Sequence, residues 1–434
     1  MNKKELMLLK QPVIEILRVL VGILFIFSGF VKCVDPMGGA IKIDDYFIAW
    51  GMSEIPMTFS IALSVIQNIL EFTVGFALLF RIFIPLASLG ALLFMVIFTP
   101  LTLYIAIANP VSDCGCFGDA VKLTNWQTFW KNMIFLPMSL IVYFNRHSFK
   151  EKLSRWRRAS ICGCGVMLSL TLCIKGLTDE PIIDFRPYSV GTNIREAMEI
   201  PDDAPQPVYK TTFILKKDGI EKEFDEDNYP YNDTTWVYVD THTEVLDEGF
   251  TPAIKDFTLT DKYEEVVTNE LLGTEEQIVL VVSPSLENVR GTDLERISHL
   301  SDICVENDLR MYILTASTLG GQERFTTESN RRYEYLQGDE TMLKTIVRGD
   351  AGVIVLQHGT IAAKYHIAHL PMDRDWKNPA ASFLRFINAD YEQSIIICIT
   401  LAVALLVIAL HHTKHKQHTK FYEKENRSRK LEDE

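Results

Sequence analysis

Positive charge is scarce in this chain. Its 43 lysines and arginines stand against 56 aspartates and glutamates, a formal net charge of −13. That excludes nucleic acid as a partner, since binding a phosphate backbone needs a basic footprint. Cysteine is scarce as well. Eight in 434 residues are too few to build a disulfide scaffold. Long apolar runs are missing from the middle, between Leu177 and Glu392, although they fill the first 176 residues and return near the end. No small-residue cleavage site follows the first run, so it is expected to stay as an anchor and not to be removed as a signal peptide. Gly/Pro-interrupted repeat pairs of the transporter kind are also missing.

What is present is an apolar pattern that fits a bilayer. Six segments are candidates for spans, which take roughly 20 apolar residues as a helix. They are Val13–Cys33, Phe59–Phe80, Ile82–Ala108, Trp126–Phe144, Ser160–Lys175 and Ser394–Leu410. The basic residues set the orientation. Lys3, Lys4 and Lys10, then Arg81, then the group from Arg146 to Arg158, and last the lysines and arginines after Lys414 all fall on one side of a six-span chain. That side is expected to be cytoplasmic, with both termini inside. The segment between Leu177 and Glu392 then lies outside, with 41 acidic against 20 basic residues.

The expected division follows from this. Residues 1–150 form a four-helix membrane bundle and 151–176 a fifth span. Residues 177–253 hold an extended linker and a small β-rich region, with a hairpin around Lys217-Asp218-Gly219. Residues 254–390 alternate strands and helices. The strands are read at Ile254–Leu259, Gln277–Ser283, Arg310–Ala316, Gly352–Gln357 and Thr360–His366. The helices are read at Glu264–Leu272, Asp293–Glu306, from about Glu323, and at Asn378–Ala389. This order resembles a thioredoxin fold. Thioredoxin-like enzymes carry CxxC after the strand matching Gln277–Ser283, where this chain has Ser283-Pro284-Ser285-Leu286-Glu287. Ala351 stands where that family has its cis-proline. The outer domain is therefore expected to be an α/β thioredoxin-like unit that exchanges no disulfides, with Cys304 in its core. Residues 391–412 hold the sixth span and 413–434 a basic tail.

The most informative stretch is Asp113-Cys114-Gly115-Cys116-Phe117-Gly118, a polar loop between the third and fourth spans. A thiolate is the reactive form of cysteine, and a loop lets a partner thiol or disulfide approach. Gly115 supplies the backbone freedom that a ring across one residue needs. Metal is not expected, because two thiolates with only Asp113 nearby give too few ligands. Glu71 lies mid-span in the second helix, where a carboxylate is costly and should face the bundle interior. Lys32, near the outer end of the first helix, is its candidate partner, with Asn68 beside them. That contact reads equally as a structural ion pair or as a proton relay.

The bundle resembles the DoxX/MauE group of bacterial membrane proteins. The resemblance runs from about Val13 to Arg146. It rests on Phe27-Ser28-Gly29-Phe30-Val31-Lys32, Asp35-Pro36, Glu71 with Gly75, Lys131-Asn132, and above all the Cys-Gly-Cys-Phe-Gly string. The whole architecture is similar to a subgroup in Bacteroidetes with an outer thioredoxin-like domain. The resemblance implies a multi-pass protein of the bacterial inner membrane, with its large domain in the periplasm. It also implies electron transfer that is respiratory, quinone-coupled or linked to disulfide maturation.

The remaining cysteines and histidines have quieter readings. Cys162-Gly163-Cys164 suits helix packing. Cys33 is either a resolving thiol for Cys114 or Cys116, or interface packing. Cys173 and Cys398 are expected to face lipid or be packed. His411, His412, His415 and His418 read as a solvated tail near anionic headgroups. Two function classes follow. In one, Cys114 and Cys116, supported by Lys32, Glu71, Asp113 and Gly115, exchange electrons with a periplasmic client or redox partner, with a quinone as the possible second carrier. In the other, the protein is a non-catalytic scaffold or sensor whose outer domain binds an envelope component. The sequence leaves the client and the oligomeric state open.

Overall fold

The computed structural model describes residues 3–370 except 112, 150–152, 207, 248 and 290, together with Met372 and Trp376. The expected sixth span, the helix at Asn378–Ala389, Cys398 and the histidine-rich tail lie outside the described residues.

The membrane unit is helical throughout: α1 (Lys3–Val34), α2 (Pro36–Ala49), α3 (Met57–Leu79), α4 (Ile84–Ala108), α5 (Asn125–Phe144) and α6 (Arg155–Thr178). Among the described residues four stretches are long and apolar enough to cross a membrane, namely Gln11–Val34 in α1, α3, α4 and α6. The fourth expected span, α5, is a 20-residue helix that starts on a capping box, with Thr124 and Gln127 satisfying each other's backbone N–H groups. The main packed pairs are α1 with α3, α4 with α5, α2 with α3, and α3 with α6. Small residues let α1 and α3 touch backbone to backbone. A Cβ on Gly29 would stand 2.5 Å from the Phe72 nitrogen, and one on Gly75 would stand 2.4 Å from that of Ile26. At the opposite end of the pair, buried Arg18 donates to the carbonyls of Leu78 and Leu79 in the last turn of α3.

The sequence reading gives no helix between Asp35-Pro36 and the second span, and α2 fills that stretch. Its start is well specified. Asp35 caps it by accepting from the Gly38 N–H at 2.9 Å, and Pro36 stands at the first helical position, where its missing N–H costs nothing. At 14 residues with three charged side chains, α2 is too short and polar to span a bilayer.

Two β units follow. After α7 (Ile194–Met198), strands β1 (Val208–Lys217), β2 (Ile220–Phe224) and β3 (Val237–Asp247) form an antiparallel sheet in the order β2-β1-β3. Asp218 and Gly219 both have positive φ, +52° and +83°, which a two-residue turn of this hand requires. The second unit runs α8 (Thr268–Gly273), β4 (Ile278–Ser283), α9 (Thr292–Glu306), β5 (Arg310–Thr315), α10 (Leu319–Ser329), β6 (Glu334–Gln337), α11 (Glu340–Ile346), β7 (Gly352–Gln357) and β8 (Thr360–His366). Its five-stranded sheet has the order β6-β5-β4-β7-β8. β4, β5 and β6 are parallel, and β7 and β8 form an antiparallel hairpin. Every residue of β4 is buried, so it reads as a continuous apolar run.

Three expectations change here. Ile254–Leu259 is not a strand, and the edge beside β5 belongs to β6. Ile254, Phe257 and Leu259 are instead buried in the core on one face of the sheet, and the chain meets the sheet only where Thr260 and Gln337 exchange backbone hydrogen bonds of 3.0 and 2.8 Å. The helix expected at Glu264–Leu272 begins only at Thr268, because Asp261 folds the preceding residues into a turn by accepting from the Tyr263 and Glu265 N–H groups. Much of the expected linker is packed structure. Tyr188 and Ile194 belong to the outer domain's core, and Arg186 is buried.

Candidate functional site

The α/β domain, expected from the sequence to lie outside the membrane and hence termed the outer domain, meets the bundle at the end that carries the Cys114–Cys116 loop, where Arg348 pairs with Asp35 and Asp119. In that loop the two sulfurs lie 2.8 Å apart, inside non-bonded contact and longer than the roughly 2.05 Å of a disulfide. Both cysteines are half-buried. The loop is folded by its own polar groups. The Gly115 N–H donates to Asp113 Oδ1 at 2.8 Å, and the Gly118 N–H donates to the Gly115 carbonyl at 3.1 Å. Gly115 takes φ +65°, and a Cβ there would stand 3.2 Å from Lys42 Cγ, so both conformation and space call for glycine.

Neighbouring helices hold the loop from several directions. From α2, Lys42 pairs with Asp113 at 3.0 Å, and the Tyr46 hydroxyl donates to the Cys114 carbonyl at 3.3 Å. From α1, the Ser28 hydroxyl lies 2.7 Å from the Cys116 carbonyl and 3.0 Å from Glu71 Oε2. It has one proton and can donate to only one acceptor at a time. Ser28 therefore links the loop to the charges beneath it. There Lys32 Nζ lies 3.0 and 2.9 Å from Glu71 Oε1 and Oε2, and Asn68 donates to the Lys32 carbonyl at 2.9 Å. Lys32 and Glu71 are both buried, as a carboxylate inside a membrane bundle requires. From α5, Lys131 Nζ stands 4.3 Å from the centre of the Phe117 ring.

This setting separates the two thiols. The Cys114 thiol donates to Cys116, and with the charges of Lys131 and Lys32 it outweighs burial and pulls Cys116 down to about 6. Cys114 moves the other way, held protonated by that hydrogen bond and by burial. One thiol is thus held protonated beside one drawn towards the thiolate.

The six residues singled out from the sequence, Cys114, Cys116, Lys32, Glu71, Asp113 and Gly115, come together at one end of the bundle. Cys33 joins a different group. It is fully buried with Cys173, Phe72 and Leu172, and its thiol hydrogen-bonds Cys173. Cys162 packs with the bundle core and Cys304 with the outer domain's core. Ser28, Lys42, Tyr46 and Lys131 were not identified as site residues. Ser28 lies one helical turn before Lys32, and Lys42 one turn before Tyr46, so same-face spacing is the signal that would have found them.

The pocket bordering Cys114 and Cys116 runs to Val121, Leu123 and Thr128 and holds about 200 Å³ of empty space, part of it open to solvent. Among the described residues no group of three His, Cys, Asp or Glu is placed to hold a metal ion. In the second β unit, the turn after β4 holds a carboxylate, Glu287. Glu287 Oε2 accepts from the Ser285 and Ser317 hydroxyls at 2.9 and 2.6 Å.

No curated protein matches the chain. Residues 209–248, the three-stranded sheet, match a domain of unknown function, DUF8463. Residues 10–145 match the family model described as Methylamine utilisation protein MauE, and this match, which spans every site residue named above in the bundle, supports a place for the membrane unit in a MauE/DoxX-like family.

Proposed function

We propose that the chain is a multi-pass inner-membrane protein whose Cys114 and Cys116 exchange disulfides with envelope proteins at the outer face of the bundle. The carrying observation is the pair of sulfurs 2.8 Å apart in a loop anchored by α1 and α2, with one thiol set to attack and the other to resolve. In the reducing direction the Cys116 thiolate attacks a client disulfide and forms a mixed disulfide, releasing the first client thiolate. Cys114 then gives up its proton and attacks the Cys116 sulfur. The Cys114–Cys116 disulfide forms and the second client thiolate leaves. The reverse sequence oxidises a client dithiol, and a second protein dithiol or disulfide returns the pair to its starting state. No step is routed through a quinone.

The family description and the sequence resemblance support a redox role. Basic residues on the opposite loops support a periplasmic position for this face. The outer domain is read as thioredoxin-like and without its own exchange chemistry, and it is the candidate surface for the client. Because Cys116 attacks, the Cys114→Ser variant should accumulate mixed disulfides with envelope proteins, and Cys116→Ser should accumulate few. If neither variant captures a partner and the double serine variant supports growth like the wild type, the scaffold reading takes over.

A further inference from the structure

Arg348, just past α11 in the outer domain, brings a charge to the base of the thiol loop, where it pairs with Asp35 and Asp119. Its side chain is 7% exposed. Nε and Nη2 lie 3.0 and 2.9 Å from Asp35 Oδ2, Nη2 also lies 3.0 Å from Asp119 Oδ2, and Nη1 donates to the Lys344 carbonyl at 2.9 Å. A planar guanidinium can serve three acceptors in fixed directions, whereas a lysine acts as a point charge.

Both carboxylates lead to the cysteines. Asp119 is three residues after Cys116, inside the turn closed by the Gly118-to-Gly115 and Ala120-to-Phe117 hydrogen bonds. Asp35 caps α2, which presents Lys42 to Asp113 and Tyr46 to the Cys114 carbonyl. One guanidinium is thus the common reference for the two ends of the loop. Arg348 is itself seated from behind. Arg186 donates to the Ile346 carbonyl at 3.3 Å and is bound by Asp184 and Glu180, which also bind Lys364.

We infer that Arg348 is a positioning residue: the outer domain, through it, fixes the conformation of the Cys114–Cys116 loop and thereby sets the pair's dithiol–disulfide equilibrium. A client or partner that shifts the outer domain would change the reactivity of thiols it does not touch. The second half of this inference rests on the disulfide-exchange reading above, and the first half does not.

The test uses the full chain in lipid nanodiscs with Arg348→Gln, Arg348→Lys and Asp119→Asn. Two quantities are read. One is the Cys114–Cys116 equilibrium in glutathione buffers, scored by mass-tag alkylation. The other is amide hydrogen exchange over residues 113–120. Arg348→Gln and Asp119→Asn are expected to shift the equilibrium about tenfold, roughly 30 mV for a two-electron couple, and to speed loop exchange at least tenfold. Arg348→Lys should recover part of both effects. Asp119→Asn keeps the Arg348–Asp35 contact, so it decides the matter if Arg348→Gln fails to fold. Unchanged exchange and equilibrium in both variants overturn the inference. Faster exchange with an unchanged equilibrium overturns it too, leaving Arg348 a structural clamp. A wild-type pair that never titrates refutes disulfide exchange and the second half of the inference, and loop exchange in the variants still decides whether Arg348 holds the loop.

Discussion

Substituting Cys114 should change the pH profile of Cys116 more than its rate at neutral pH. In the reduced protein, Cys116 is drawn from 9.0 to about 6, first by the hydrogen bond from Cys114 and then by Lys131 and Lys32. At pH 7 that makes it roughly 90% thiolate, against about 1% for an ordinary thiol near 9. A thiolate of lower pKa is also a poorer nucleophile. With a Brønsted slope of about 0.4–0.5, three units cost roughly 20-fold in intrinsic rate. The net advantage at pH 7 is only about fourfold, but at pH 6 it is roughly 25-fold. The profile is therefore the sensitive quantity. Thiolate is present above about pH 6 and is lost as pH falls through that value. In Cys114→Ala the donor is gone, and the midpoint should rise towards the ordinary thiol range. Cys114→Ser keeps a hydroxyl donor and should fall between. Lys131→Met should raise the midpoint by a smaller amount. The assay is iodoacetamide alkylation of the reduced protein from pH 5 to 9, quantified on the Cys116 peptide by mass spectrometry. A wild-type midpoint above 8, or a midpoint that Cys114→Ala leaves in place, would refute the division of labour between the two thiols.

Three further outcomes are expected. Glu71→Leu strands the buried Lys32 ammonium and should cost ~3–5 kcal/mol in unfolding in detergent, whereas the double variant Lys32→Met/Glu71→Leu should regain most of it; equal losses for both would show that the pair is not coupled. Gly75→Val places a side chain against the α1 backbone, where a Cβ already meets the Ile26 nitrogen at 2.4 Å, and should destabilise by ~1–3 kcal/mol or more, which thermal unfolding in nanodiscs would report. Burial alone would raise Asp184, but Lys364 and Arg186 outweigh it and hold the carboxyl at about 2; the stability it gives is full above about pH 4 and lost as pH falls towards 2, ~2 kcal/mol in all, so Asp184→Asn should flatten the acid end of the stability profile.

The bundle was legible because its signal is composition over 20 or more residues. The ends of α3 and α4 and the C-terminal end of α1 follow the apolar runs closely, whereas α1 already begins at Lys3, ahead of its run. The two hairpins were legible because Asp218-Gly219 and His358-Gly359 carry the positive φ values that tight turns demand. Elements that depend on partners were not. β6 reads Glu-Tyr-Leu-Gln with one fully buried residue, so nothing in its own pattern marks a strand, and only the neighbouring β5 makes it one. Ile254–Leu259 has the opposite problem, with apolar residues that look like a strand but fill the core from an irregular segment. The cysteines, Lys32 and Glu71 were legible because a polar group beside or inside an apolar span is costly unless it has a task. Asp119 and Arg348 were not, since their meeting spans 229 residues of sequence and each alone is an ordinary surface charge.

The placement of the chemistry has a physical logic. A thiol pair on the outer domain would keep whatever reactivity its own turn gave it. In this chain that turn instead holds Glu287, satisfied by Ser285 and Ser317, and the thiols sit on the bundle. There they share a surface with Lys131 and with the buried Lys32–Glu71 pair, linked through Ser28. Charges inside a low-dielectric bundle act over longer distances than on a wet surface, so a thiolate at the bundle's rim is stabilised by cations that make no direct contact with it. The same loop is reached from above by Arg348. Its reactivity thus depends on both units at once: the bundle supplies the field and the outer domain supplies the restraint. On this reasoning, an outer domain separated from the bundle should be inert towards disulfides, and a bundle separated from the outer domain should keep its thiols but lose their fixed equilibrium.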